Sequence, residues 1–231
     1  MAMVKFQRLE LRTTDAAAAR AFYTRLFGHD RAVVWPLHEQ ALARGARPHW
    51  LGHLGVANAA QVAAAFVERG AMQLGPTRTT EGDGTTVVLR DPGGAIVALS
   101  TPPPTERALD VNAAWHVLNT PDAARATANY CELFGWEATE NAELSALGAF
   151  RQFAWQAGGP GVGIIADIAG RTGVHPQWLF VFEVTALESA VAIARGEGGL
   201  VLDPILLSGG ERLFVCDDPQ GAAFALRERR A

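Results

Sequence analysis

The chain has 231 residues, 49% of them hydrophobic, with a formal net charge of −4. That is apolar material for one large core or two modest ones. The acidic balance and the lack of a basic stripe interleaved with aromatics argue against a nucleic-acid partner. Only Cys131 and Cys216 are present, too few and too scattered for a disulfide framework or a thiolate metal site. No window approaches the ~18 apolar residues of a membrane span and the N-terminus lacks a long apolar stretch, so the sequence predicts a cytoplasmic protein with no membrane partner.

Residues 6–12 alternate as a half-buried strand does, with Leu9 and Leu11 on one face and Arg8 and Glu10 on the other. Asp15 stands where an N-cap belongs, and Ala18, Ala21, Phe22 and Leu26 form a helical stripe that stops at Gly28. The stretch 33–47 follows, in which Pro36 and Gly45 suggest the start and stop of a short helix. From Trp50 the pattern restarts: a strand to Val56, a helix over about 59–69, then strands near 72–74, 85–89 and 95–99. Thr101-Pro102-Pro103-Pro104-Thr105 joins neither ladder nor helix and reads as a linker, placed at 103–110 between a first domain at 1–102 and a second at 111–231.

The second half echoes the first. Thr13-Thr14-Asp15 through Leu26-Phe27-Gly28 is matched by Thr120-Pro121-Asp122 through Leu133-Phe134-Gly135. Trp50-Leu51 through Val56 is matched by Trp178-Leu179 through Val184. Asp91-Pro92-Gly93-Gly94 returns as Asp218-Pro219-Gln220-Gly221, an Asp-Pro turn whose fourth residue needs a positive φ. Such order-preserving echoes mark a duplicated domain. Between Gly28 and Trp50 lie 22 steps, against 43 between Gly135 and Trp178, a deficit of 21 that equals a lost hairpin. In the longer copy, 150–155 and 162–167 read as strands around Gly158-Gly159-Pro160-Gly161.

Tandem units with Leu-Phe-Gly ending the first helix and Asp-Pro-x-Gly opening the last strand resemble the vicinal oxygen chelate superfamily, which includes glyoxalase I, extradiol dioxygenases and bleomycin-resistance proteins. The resemblance covers nearly the whole chain except 33–47. It implies an α+β fold of tandem βαβββ units forming two curved mixed sheets, the first domain truncated. It also implies that a metal, where relatives use one, would be held from Arg8, Leu51 and Ala98 in one domain and from Trp115, Leu179 and Ala225 in the other. None of these is a metal donor, so no cofactor is expected, although His29, His38, His49 and His175 leave a divalent metal open.

The candidate catalytic residues are His53, as acid, base or hydrogen-bond donor, with Glu10 orienting it, and Glu183 as a base. The alternative for Arg8 and Glu10 is a structural salt bridge. For ligand binding the candidates are Trp115, Asn119, Trp155 and Glu183 in the second domain, aromatics with a few polar groups, and Arg8 in the first as an anion holder. Here the alternative is that Trp115 and Trp155 fill a collapsed cavity or a seam. The expectation for function is metal-independent binding of a hydrophobic or aromatic small molecule, in resistance or sequestration. The alternatives are a lyase or isomerase with a non-standard site and a degenerate interaction scaffold, and a homodimer fits the sheet edge that a lost hairpin would expose.

Overall fold

A computed structural model describes residues 3–30, 32–80, 84–101, 113–139, 150–207 and 210–229. The linker expected at 103–110 lies outside them. In chain order the first half runs β1 (Phe6–Thr13), α1 (Ala16–Phe27), β2 (Val34–Pro36), α2 (Glu39–Ala43), β3 (His49–Gly55), α3 (Ala59–Glu68), β4 (Met72–Gln73), β5 (Arg78–Thr80), β6 (Gly84–Arg90) and β7 (Ile96–Thr101). The second half runs β8 (Ala113–Thr120), α4 (Ala123–Phe134), β9 (Glu137–Thr139), β10 (Phe150–Ala154), β11 (Gly163–Asp167), β12 (Gln177–Val184), α5 (Leu187–Gly196), β13 (Leu200–Val201), β14 (Ile205–Leu206), β15 (Arg212–Asp217) and β16 (Ala223–Glu228).

The strands form two curved mixed sheets. One has the order β2-β1-β3-β7-β6-β4, with β5 on β6; the other has β13-β15-β16-β12-β8-β11-β10-β9, with β14 on β15. The stretch 33–47 carries the expected short helix, α2, but also β2, a parallel edge strand beside β1 that the sequence pattern did not announce. Its counterpart in the longer half is the antiparallel set β9-β10-β11. The 21-residue deficit therefore corresponds to strands present in one sheet and absent from the described part of the other.

Local chemistry accounts for the repeated helices. Asp15 Oδ1 accepts from the Ala17 and Ala18 amides, and Asp122 Oδ1 from the Arg125 amide, so each helix begins with donors satisfied. Both end at the glycine of Leu-Phe-Gly. Each Asp-Pro-x-Gly turn closes as expected, with Gly94 at φ 104° and Gly221 at φ 92°, a region that costs an L side chain strain.

The chain packs as two compact units that each draw on both halves. One gathers residues from 1–8, 52–109 and 116–178, the other from 9–51, 110–115 and 179–231. In the first unit Phe6, His116, Tyr130, Trp136, Phe153, Trp155 and Trp178 form an aromatic core, Trp136 stacking on Phe153 at 4.8 Å and Phe6 on His116 at 5.2 Å. In the second, Tyr23, Phe27, Trp50, Phe182 and Phe224 do the same. Each such pair contributes about 0.5–1.5 kcal/mol beyond its buried area.

A buried polar triad runs through each core. Tyr130 donates to Asp91 Oδ2 at 3.1 Å and accepts from Trp178 Nε1 at 3.1 Å. Tyr23 donates to Asp218 Oδ2 at 3.2 Å and accepts from Trp50 Nε1 at 3.0 Å. The three repeated sequence motifs thus meet in one contact, the Asp of the turn, the Tyr of the helix and the Trp of the strand. In both triads the Asp comes from one half of the chain and the Tyr from the other.

Candidate functional site

Trp50 reaches Tyr23 on α1, so Trp50 and Leu54 face the helices, and Leu51 and His53 face the other way. Register then gives their neighbours. His53 lies opposite Ala98, Thr86 opposite Ser100, and Val88 opposite Ala98. The residue beside Ala98 is therefore His53, two positions on from the Leu51 that the motif spacing pointed to. Arg8 Nη2 donates to His53 Nδ1 at 3.1 Å; Ser100 Oγ lies 2.8 Å from the same nitrogen, and Thr86 Oγ1 3.3 Å from Ser100 Oγ. His53 is 1% exposed and Ser100 4%. Glu10, expected to orient His53, accepts from Arg12 Nη2 at 2.5 Å, and Arg8 and Ser100 both lie at His53 Nδ1.

The second unit holds another cluster on the helix-free face. Arg227 sends both Nε and Nη2 to Glu183 Oε1, at 3.1 and 2.8 Å, across directly opposed positions of β12 and β16. Its guanidinium lies 5.9 Å from the centre of the Trp115 ring, a cation–π contact. Two residues back along the ladder, Val181 faces Ala225. All three polar or aromatic side chains are partly exposed.

The other expected residues lie elsewhere. Asn119, in the first unit, is 5% exposed beside Ala166, and its Oδ1 has no hydrogen-bond partner. Trp155 was expected to line the ligand face with Asn119. It instead packs against Phe6, His116, Trp136 and Phe153 in the aromatic core. The physical reason is that β10 ends at Ala154, so strand alternation no longer governs the next residue, and Phe150, Gln152 and Ala154 take the face of β10 opposite Phe153. Arg227 and Ser100 were not singled out in the sequence. Each lies two residues past an alanine of the ligand row, and a polar residue at that parity in an apolar last strand was the available signal.

Two of the histidines left open for a metal, His38 and His49, make local contacts. His38 caps α2 by accepting from the Gln40 amide, and His49 Nδ1 lies 2.7 Å from the Arg47 carbonyl. His116, 6% exposed, donates Nδ1–H to the Val162 carbonyl, and burial pushes its pKa down to about 4. Among the described residues no three His, Cys, Asp or Glu side chains converge on a common point. The ligand rows supply Arg8, His53 and Ala98 in one sheet and Trp115, Val181 and Ala225 in the other. One imidazole does not by itself make a divalent-cation site, since such an ion needs several N, O or S donors. Among the described residues, those in these rows do not fit a divalent metal.

Fold and sequence echoes together define an α+β protein with two curved mixed sheets whose second half repeats the motifs of the first. Residues 113–226 match the model of the Glyoxalase/Bleomycin resistance protein/Dioxygenase superfamily. Residues 113–226 thus carry a domain of this superfamily, the vicinal oxygen chelate one. It is 28% identical to CFP32 of Mycobacterium bovis, a candidate glyoxylase, over 244 aligned positions that cover 94% of this chain and 92% of the relative. Among solved structures it is similar to the 2,3-dioxygenase LapB from Pseudomonas sp. KL28, with a TM-score of 0.62, 12% identity and coverage of 100% of this chain and 94% of that one. It is also similar to the Mn(II)-bound glyoxalase from Novosphingobium aromaticivorans, with a TM-score of 0.61, 12% identity and coverage of 97% and 81%. At such identities these structures speak to the fold and not to the chemistry.

Proposed function

We propose that the protein is a metal-independent member of the superfamily that binds an aromatic small molecule in the cytoplasm, on the helix-free face around Trp115, Glu183 and Arg227. The observation that carries this reading is Trp115 itself. It stands at a position that a metal ligand takes in relatives, partly exposed, with Arg227 over its ring and Glu183 holding Arg227. A planar ligand gains from such a surface by stacking, and the clasped ion pair presents fixed polar edges to orient it. Glu183 as a catalytic base is less well supported, because one of its oxygens already takes two donors from a guanidinium, an arrangement that holds the side chain in place.

The test is thermal stabilisation by a panel of aromatic metabolites and aromatic antibiotics, with and without a chelator. A ligand should raise Tm equally in both conditions. Trp115→Ala should weaken that ligand by about 1 kcal/mol beyond the lost contact area. A chelator-sensitive response, or indifference to Trp115→Ala, overturns the reading.

A further inference from the structure

We infer that the ligand of the Trp115 site is a neutral aromatic amide, its carbonyl accepting from Arg227 and its N–H donating to Glu183; this rests on the binding role proposed above. The argument starts from what each group can do. A guanidinium only donates and a carboxylate only accepts. Arg227 directs Nε and Nη2 at a single oxygen of Glu183, Oε1, at 3.1 and 2.8 Å. Nη1 and Oε2 lie outside these bonds, and neither is a buried atom lacking a partner. The pair therefore keeps a donor on one member and an acceptor on the other, on side chains that are 20% and 25% exposed. Sheet order sets these groups beside the ring. Glu183 on β12 stands directly opposite Arg227 on β16, β8 with Trp115 flanks β12 on its other side, and the guanidinium lies 5.9 Å from the Trp115 ring centre. All three residues belong to one compact unit.

The charge balance then selects among ligands. Guanidinium and carboxylate in contact sum to no net charge, so a ligand carboxylate meets Glu183 as a like charge, and a ligand ammonium meets Arg227 in the same way. A neutral ketone accepts from Arg227 but leaves Glu183 Oε2 facing an apolar group once water is displaced, which is unfavourable. A phenol offers donor and acceptor through one oxygen, which must then reach both members at once. An amide divides them between two atoms, as the pair itself does, within a planar group conjugated to the ring that stacks on Trp115. Hydrogen bonds to charged partners are the stronger kind. A site that engages both groups of its ligand rejects analogues lacking either one.

The experiment is 15N NMR of the full chain, reading the Trp115 indole N–H, assigned by its loss in Trp115→Ala, during titration with benzamide, benzoate, benzylammonium, acetophenone and phenol. Benzamide should bind about tenfold or more tighter than each of the others and shift the Arg227 Nε resonance as it does so. Glu183→Gln leaves the guanidinium without its counter-charge and should move the preference about tenfold toward benzoate, and Arg227→Gln should move it toward benzylammonium. Another of the compounds binding as tightly as benzamide, or a Glu183→Gln variant with unchanged preference, overturns the inference and leaves the aromatic site standing. No response at Trp115 to any of the compounds at millimolar concentration overturns it too, and whether the aromatic site falls with it is read from the wider panel described above. Should either variant fail to fold, the comparison of the compounds on the unaltered protein decides it.

Discussion

The hydroxyl of Tyr130 donates to Asp91 Oδ2 at 3.1 Å in the core of the first unit, where Asp91 is 4% exposed. Burial is the largest influence on this carboxyl and raises its pKa above the ordinary 3.8, against hydrogen bonds from the Ala95 amide and Tyr130 that favour the charged form. Below the unfolded value Asp91 is protonated in both states. Between that value and the raised folded one the native state holds a proton that the unfolded chain has lost, so the slope of stability with pH is negative there. Its contribution is thus fully present at low pH and lost as pH rises through the folded pKa. Asp91→Asn should flatten the decline seen in chemical denaturation as pH rises above the ordinary carboxyl range. Tyr130→Phe, which leaves Trp178 Nε1 without its acceptor, should cost about 1–3 kcal/mol.

His116 works in the opposite direction. Burial pushes its pKa down to about 4, so the folded state resists a proton that the unfolded chain accepts near 6.5. Stability from this group is present above pH 6.5 and drains away as pH falls to about 4, by roughly 3 kcal/mol from a shift of that size. A His116→Phe variant, which keeps a ring against Phe6, should lose less stability over that window than the unaltered protein when both are followed by denaturant titration.

Gly163 sits where two elements touch. An added Cβ would lie 2.3 Å from the His116 carbonyl oxygen and 2.6 Å from the Phe153 ring, and neither the backbone nor the stacked ring can yield. Gly163→Ala should therefore destabilise by about 1–3 kcal/mol or more. Gly170→Ala is not a fair control, since Gly170 has a positive φ. Gly196→Ala, with open space at its Cβ and no positive φ, is. Equal Tm values for the two variants would contradict the close approach.

Asn119 carries a buried acceptor without a partner, a state that costs about 1–3 kcal/mol relative to a satisfied group. Asn119→Leu, similar in size and with no polar atom, should match or exceed the unaltered protein in Tm. A loss of several degrees would mean that the amide is bonded in solution.

The fold was legible because its signals are local. Asp15 and Asp122 announce helix starts, Leu-Phe-Gly their ends, and Asp-Pro-x-Gly the last turn; all lie within a few residues of what they control. Repetition then read out the duplication without any long-range information. What sequence could not supply was register. Leu51 and His53 share a face, and only the pairing of β3 with β7 shows which one stands beside Ala98. The short β2 and β9, three residues each, carry too few positions to show alternation. Trp155 was misplaced for a related reason, since parity was carried one residue beyond the end of its strand. Arg227, which joins Trp115 to Glu183, lies 112 positions from the first and 44 from the second, distances over which neither periodicity nor spacing speaks.

The two Asp–Tyr bonds also bear on inheritance. Asp91 answers to Tyr130 and Asp218 to Tyr23, so a change in one half is tolerated or rejected according to a residue in the other, and the two copies are obliged to drift together. Cleaving the chain between residues 101 and 113 should leave two fragments that each expose an aspartate, a tyrosine and an apolar sheet face. Apart they should aggregate, and mixed they should regain a single cooperative melting transition.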